Sequence, residues 1–149
     1  MRATALLDKD HERIEELFGE LDRSSEETPK NVKRIFGEIM QEIALHSELV
    51  ERYLHPVIAE SNRDNLVEES RAGQEETAAL LRQIGNVEPG DPAFGRRMAD
   101  LRSRFLEHTQ VERKRLVPIV ESRLSDRELD DLGTLIEAHK AHRNSGPRE

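Results

Sequence analysis

The sequence predicts an all-α fold: an up-down-up-down four-helix bundle closed by a short fifth helix. Three observations carry this. Apolar residues recur at alternating spacings of three and four along four long segments, as in helices that bury one stripe. Short polar breaks separate the segments, and they carry the residues that start and stop helices, such as Thr28-Pro29, Asp91-Pro92 and Ser125-Asp-Arg-Glu128. Finally, the 149 residues are 36% charged, 35% hydrophobic and 3% aromatic, with no Trp. That balance suits charged helices around a narrow core better than a sandwich or barrel.

The first helix is expected from about Ala3 to Asp22. Its stripe is Leu7, His11, Ile14, Phe18 and Leu21, which turns His11 inward. After a polar connection, Thr28 caps a second helix and Pro29 takes its first position. This helix runs to about Glu60 with a stripe of Val32, Phe36, Ile39, Ile43, His46, Val50, Tyr53 and Val57. Pro56 should kink it near Arg52, because proline removes a donor and crowds the carbonyl four residues back. The third helix should start near Asn62 or Asp64 and end near Asn86. Its stripe of Val67, Ser70, Gln74, Thr77, Leu81 and Ile84 holds two polar residues, Ser70 and Gln74, at core positions.

Asp91 caps the fourth helix, which runs to about Arg123 with Pro118 as a second kink. Its stripe is Phe94, Met98, Leu101, Phe105, His108, Glu112, then Arg115 or Leu116, then Ile119. Ser125 and Glu128 form a capping box for the fifth helix, expected to about His142 with Leu129, Leu132, Leu135 and Ile136 as its apolar face. The connections are too short to cross the bundle, so neighbours are antiparallel, and the fifth helix should lie across one end. Residues 1–143 make one domain, and 144–149 a disordered tail.

The two halves resemble each other. His46 to Pro56 and His108 to Pro118 share a ten-residue spacing and are offset by 62. His11-x-x-Ile14-x-x-Leu17-Phe18 is matched by Gln74-x-x-Thr77-x-x-Leu80-Leu81 at an offset of 63. The bundle therefore reads as a duplicated helical hairpin. His11, His46 and Val50 of one half face Gln74, His108 and Glu112 of the other. His108 and Glu112, one turn apart, can offer a nitrogen and an oxygen to one metal ion.

Composition excludes several classes. The formal net charge of −8 and the pI near 5.3 argue against nucleic acid and anionic membranes as partners. With no cysteine there is no disulfide, thiolate metal site or Cys nucleophile. No apolar run suits a signal peptide or a membrane span, so a cytoplasmic monomer or homodimer is expected. No nucleophile elbow or glycine-rich phosphate loop is present.

The stretches Asp10-His11-x-x-Ile14-x-x-Leu17-Phe18, His46-x9-Pro56, His108-x3-Glu112-x5-Pro118 and Leu124-Ser-Asp-Arg-Glu-Leu129 carry a resemblance. From Leu6 to about Ala138 the chain resembles the hemerythrin-like (HHE cation-binding) proteins. The resemblance implies a carboxylate-bridged pair of non-haem irons that binds dioxygen, reacts with peroxide or nitric oxide, or senses iron. By position, His11 and His46 match terminal ligands of one iron, His108 a ligand of the other, and Glu112 a bridging carboxylate. The chain departs from the pattern at Val50, where the family repeats the Glu, and at Ser70 and Gln74, where it carries helix-borne ligands.

The expectation is therefore a reduced site of His11, His46, His108 and Glu112. It would hold one or two iron ions, or another divalent metal such as zinc or manganese, and meet a small diatomic or peroxide ligand. Tyr53, Gln74, Glu42 and Glu51 are possible recruits. Ser70 and Gln74 are otherwise read as filling or hydrogen-bonding groups, Tyr53 as a core aromatic, His55 as packing or partly exposed, and His139 and His142 as solvated. The competing function is a metal-free degenerate bundle acting as a binding or regulatory module, its polar layer satisfied by hydrogen bonds.

Overall fold

A computed structural model describes residues 1–24, 28–60 and 65–144. Among these the chain is helical, with no strand. The helices are α1 (Ala3–Arg23), α2 (Pro29–Leu49), α3 (His55–Ala59), α4 (Leu66–Gly85), α5 (Pro92–Val111), α6 (Val117–Arg123) and α7 (Asp126–Asn144). α1 packs along α2 and α4 along α5, as two hairpins; α2 meets α4 and α3 meets α6 to join them.

The helix starts follow the sequence signals. The Thr28 hydroxyl accepts from the Asn31 N–H at 3.4 Å, and the Asp91 carboxylate from the Ala93 N–H at 2.9 Å. Ser125 and Glu128 satisfy each other's backbone N–H at 3.1 and 3.0 Å, the reciprocal capping box. The expected start of the third helix at Asn62 or Asp64 lies outside the described residues, as do residues 145–149 of the expected tail.

Both prolines act, though not as simple kinks. Between α2 and α3, Val50–Leu54 is a π-helical turn in which the His55 N–H reaches back to the Val50 carbonyl. Between α5 and α6, Glu112–Leu116 is a second, with the Val117 N–H on the Glu112 carbonyl. Pro56 and Pro118 lack the donor that would close the next α turn, and a widened turn relieves the crowding. Each π turn adds a residue to the helical repeat, so the buried stripe slips by one. Leu54 and Ile58 are buried instead of Tyr53 and Val57; of the alternatives Arg115 and Leu116 it is Leu116 that is buried, followed by Val120 instead of Ile119.

The core divides into two apolar clusters. One gathers Ile14, Leu17, Phe18, Ile35, Phe36, Ile39, Leu81, Ile84, Phe94, Leu101 and Phe105. The other gathers Leu7, Leu49, Val50, Leu54, Ile58, Leu66, Leu116, Val120, Leu129 and Ile136. On every long helix of the bundle, polar residues separate the two: His11 on α1, His46 on α2, Ser70 and Thr77 on α4, and His108 and Thr109 on α5, with Glu112 following. α7 closes the second cluster with Leu129 and Ile136 and packs along α1 up to the polar layer, rather than only across the end. Leu135, expected on its apolar face, is 55% exposed.

Candidate metal centre

His11 reaches the polar layer from the middle of α1, His46 from the last turn of α2, and Glu112 from the start of the second π turn. All three are buried, with Glu112 0% exposed. Among the described residues, one donor atom from each lies within 4.8 Å of the others. His46 Nε2 sits 2.8 and 3.0 Å from the two Glu112 carboxylate oxygens, and His46 Nδ1 3.0 Å from Asp10 Oδ2. His11 Nε2 lies 3.4 Å from Glu112 Oε1, and His108 Nε2 3.5 Å from the same oxygen.

His108 thus stands at the edge of the cluster. Its ring lies against the backbone of Gly73 on α4: a Cβ at Gly73 would fall 2.5 Å from His108 Nδ1. That close approach is what a glycine here allows.

The charges follow from this packing. Burial disfavours a proton on His46, but the charge of Glu112 and the hydrogen bonds His46 donates to Asp10 and Glu112 outweigh it and raise its pKa to about 10. His46 is then an imidazolium that donates from both ring nitrogens to two carboxylates. Burial alone would raise Glu112, yet His46, His11 and His108 hold its carboxyl far below the usual range. Asp10 is likewise kept low against burial, by His46 and Lys140. His108 goes the other way: burial lowers its pKa, the neighbouring imidazoles add to this, and Glu112 only partly compensates.

Two groups are not satisfied. Among the described residues neither ring nitrogen of His11, 1% exposed, nor His108 Nε2 makes a hydrogen bond; the two Nε2 atoms only approach Glu112 Oε1, at 3.4 and 3.5 Å. A buried polar atom without a partner costs about 1–3 kcal/mol. Three imidazoles and a carboxylate, two of the imidazoles with free nitrogens turned toward one carboxylate oxygen, are a donor set suited to a transition-metal ion. The residues present fit a metal.

The expected recruits are engaged elsewhere. The Tyr53 hydroxyl meets His139 Nδ1 at 3.1 Å, away from the cluster. The Gln74 amide donates to the Ser47 carbonyl at 3.5 Å. Glu51 pairs with Arg71 and His55, and Glu42 lines a surface cavity with Lys9 and Arg13. Two histidine readings are also corrected. His55 is 1% exposed and bridges Glu51 to the Ser70 hydroxyl, which lies 2.8 Å from its Nε2. His139 is half-buried between Tyr53 and Glu48, whereas His142 is exposed as expected.

Sequence reasoning missed Asp10 as a partner of His46, and Gly73 as the seat of His108. Asp10 is adjacent to His11 in the matched stretch, but its contact needs the register of α1 on α2. The place of Gly73 needs the register of α4 on α5.

A helical bundle with a buried layer of imidazoles and carboxylate defines a metal-binding bundle protein. The chain belongs to the hemerythrin family: residues 2–120 match the Hemerythrin HHE cation binding domain. A DNA nickase from Nostoc sp. (strain PCC 7120) is 27% identical over 132 residues, covering 89% of this chain and 37% of that protein. The chain thus spans about a third of the curated relative's length. The crystal structure of a hemerythrin HHE cation binding domain-containing protein from Mycobacterium kansasii shares the fold, with a TM-score of 0.83 at 19% identity over 97% of this chain and 89% of that one. Among the described residues no helix is long and apolar enough to cross a membrane.

Proposed function

We propose that the chain is a non-haem metal protein that holds one ion, iron by preference, at His11, His46 and Glu112 with His108 as a fourth donor. There it handles dioxygen, peroxide or nitric oxide. The observation that carries this reading is His11. A buried imidazole with neither nitrogen hydrogen-bonded, beside a buried carboxylate, is a poor structural residue and a good ligand. A stoichiometry of one is supported by Val50, Ser70 and Gln74, which stand where a second ion would need donors, and by the other partners of Tyr53, Glu51 and Gln74.

The residues divide the work. His46 would hold the ion through its deprotonated Nε2, with its Nδ1–H donating to Asp10, which would fix ring and tautomer. Glu112 supplies the negative charge that the ion needs. Val50, 0% exposed, one turn beyond His46, belongs to the apolar cluster that would keep one side of the site dry. Iron held there supplies reversible binding of, or electron exchange with, a small oxygen- or nitrogen-centred ligand.

The test is elemental analysis of protein expressed with added iron, with its visible spectrum, beside a His108→Ala variant. About one iron per chain, with colour lost in the variant, is the expected result. Absence of metal from the wild type overturns the reading and leaves the metal-free regulatory module. About two irons would show that recruits move in.

The description of the curated relative favours a second reading, DNA nicking. Conversion of supercoiled plasmid to open circles by the purified chain with a divalent cation tests it; intact supercoils exclude it for this chain.

A further inference from the structure

α7 lies beyond the residues matched to the family domain, yet it touches the metal layer. The Asp10 carboxylate has two oxygens. One lies 3.0 Å from His46 Nδ1; the other is paired with Lys140 Nζ from α7. The side chain of Asp10 is 9% exposed and that of Lys140 23%. The ion pair forms part of the wall of a polar surface cavity of about 400 Å³ that Lys9, Glu12 and Glu42 also line. His46 is therefore separated from solvent on this side by one carboxylate and the lysine that holds it.

α7 is also held in two different ways along its length. Its apolar anchors, Leu129, Leu132 and Ile136, all fall in the first part of the helix. Beyond Ile136 polar pairs include His139 with Tyr53 and Glu48, Lys140 with Asp10, and Arg143 with Glu48, and His139 also sets its ring edge-on to Tyr53. The last turns of α7 are thus fastened by a few side-chain pairs rather than by a core.

We propose that Lys140 is a positioning residue of the metal centre: it locks the Asp10 carboxylate that orients His46, and so couples docking of the end of α7 to occupancy of the site. This rests on the metal-binding reading above. A ligating histidine needs a fixed acceptor on its second nitrogen, and loss of such an acceptor costs 10–100-fold in affinity in other metal sites. Asp10 held by Lys140 keeps one orientation; Asp10 released can rotate toward the cavity. By linkage, whatever favours the docked end of α7 favours the bound ion, and the reverse.

The experiment is a Co(II) titration of the full chain followed by visible absorption, with wild type, Lys140→Met, Lys140→Arg and Lys9→Met. The expected result is binding about tenfold weaker in Lys140→Met, with an altered Co(II) spectrum and little change in the thermal midpoint of the metal-free form. Lys140→Arg should restore affinity, because it keeps the charge on Asp10. Lys9→Met removes a charge from the same cavity without touching that pair, and should bind as wild type does. Wild-type affinity in Lys140→Met, or an equal loss in Lys9→Met, overturns the proposal while the metal site stands. A wild type that takes up neither Co(II) nor Fe(II) overturns both.

Discussion

His11 carries the sharpest residue-scale consequence. With neither ring nitrogen hydrogen-bonded among the described residues, it costs the metal-free protein stability that a bound ion would recover. Replacement by Leu should therefore remove metal binding and yet raise the stability of the metal-free form by about 1 kcal/mol, a Tm gain of about 2–4 °C in a chain of this size. Thermal melts in a chelator check it; a fall of several degrees would make His11 a structural residue. pH acts on the same layer. His46 has a raised pKa of about 10, so its stabilisation is complete below about 6.5 and is lost as pH climbs to 10. Glu112 is lowered, so its contribution is present above about 4.5 and fades in acid. His108 is lowered from 6.5 and costs stability below that value. The metal-free Tm should peak near pH 6.5 and fall on both sides. Metal affinity should instead keep rising with pH, because the ion displaces the His46 proton. A metal-free Tm that rises steadily from pH 7 to 10 would contradict this arrangement.

At the scale of the helices, two glycines separate packing from propensity. A methyl group on Gly73 of α4 would meet the His108 ring at 2.5 Å, whereas one on Gly37 of α2 meets nothing within 4 Å. Gly73→Ala should cost about 1–3 kcal/mol by overpacking and weaken metal binding by displacing His108. Gly37→Ala should gain about 0.5–1 kcal/mol from helix propensity alone. Urea melts of the two variants, with metal titrations, check both signs. The helix starts at Pro29, Pro92 and Asp126 were legible in the sequence, because caps and prolines mark them, and the three-and-four stripe gave the buried face up to each π turn. What was not legible follows from one event in each half. The π turns at Val50 and Glu112 shift the stripe by a residue. A constant period therefore placed Tyr53 inward and left His55 as packing, when the turn carries Tyr53 toward α7 and His55 into the core. Proline announced a disturbance there, but a kink and a widened turn look alike from sequence.

For the molecule as a whole, the duplicated hairpin is the organising fact, and the proposal of a single ion rests on its asymmetry. Both halves keep the proline and the π turn at the same offset, so the backbone remains two-fold even where the ligands do not. The central grouping of His11, His46 and Glu112 could be anticipated because it lies on one stripe level. The hydrogen-bonded network of His55, Ser70, Glu51 and Arg71 could not, since it depends on their meeting across three helical segments. This separates two causes of a single-ion site: missing ligands, or a neighbouring network that occupies the space. Val50→Glu alone should destabilise the metal-free protein by about 3–5 kcal/mol, because it buries a carboxylate in an apolar cluster without a partner. Val50→Glu with Gln74→His restores a carboxylate to one half and an imidazole to the other, and with added iron the content should rise from about one to about two ions per chain. A rise in Tm on iron loading larger than that of the wild type should accompany it, because a second bound ion adds its own linkage term. If the doubly substituted chain folds and still takes up one ion, the hydrogen-bonded His55 network, rather than the lost donors, closes the second site. Loosening that network with His55→Ala is then the substitution that should admit the second ion.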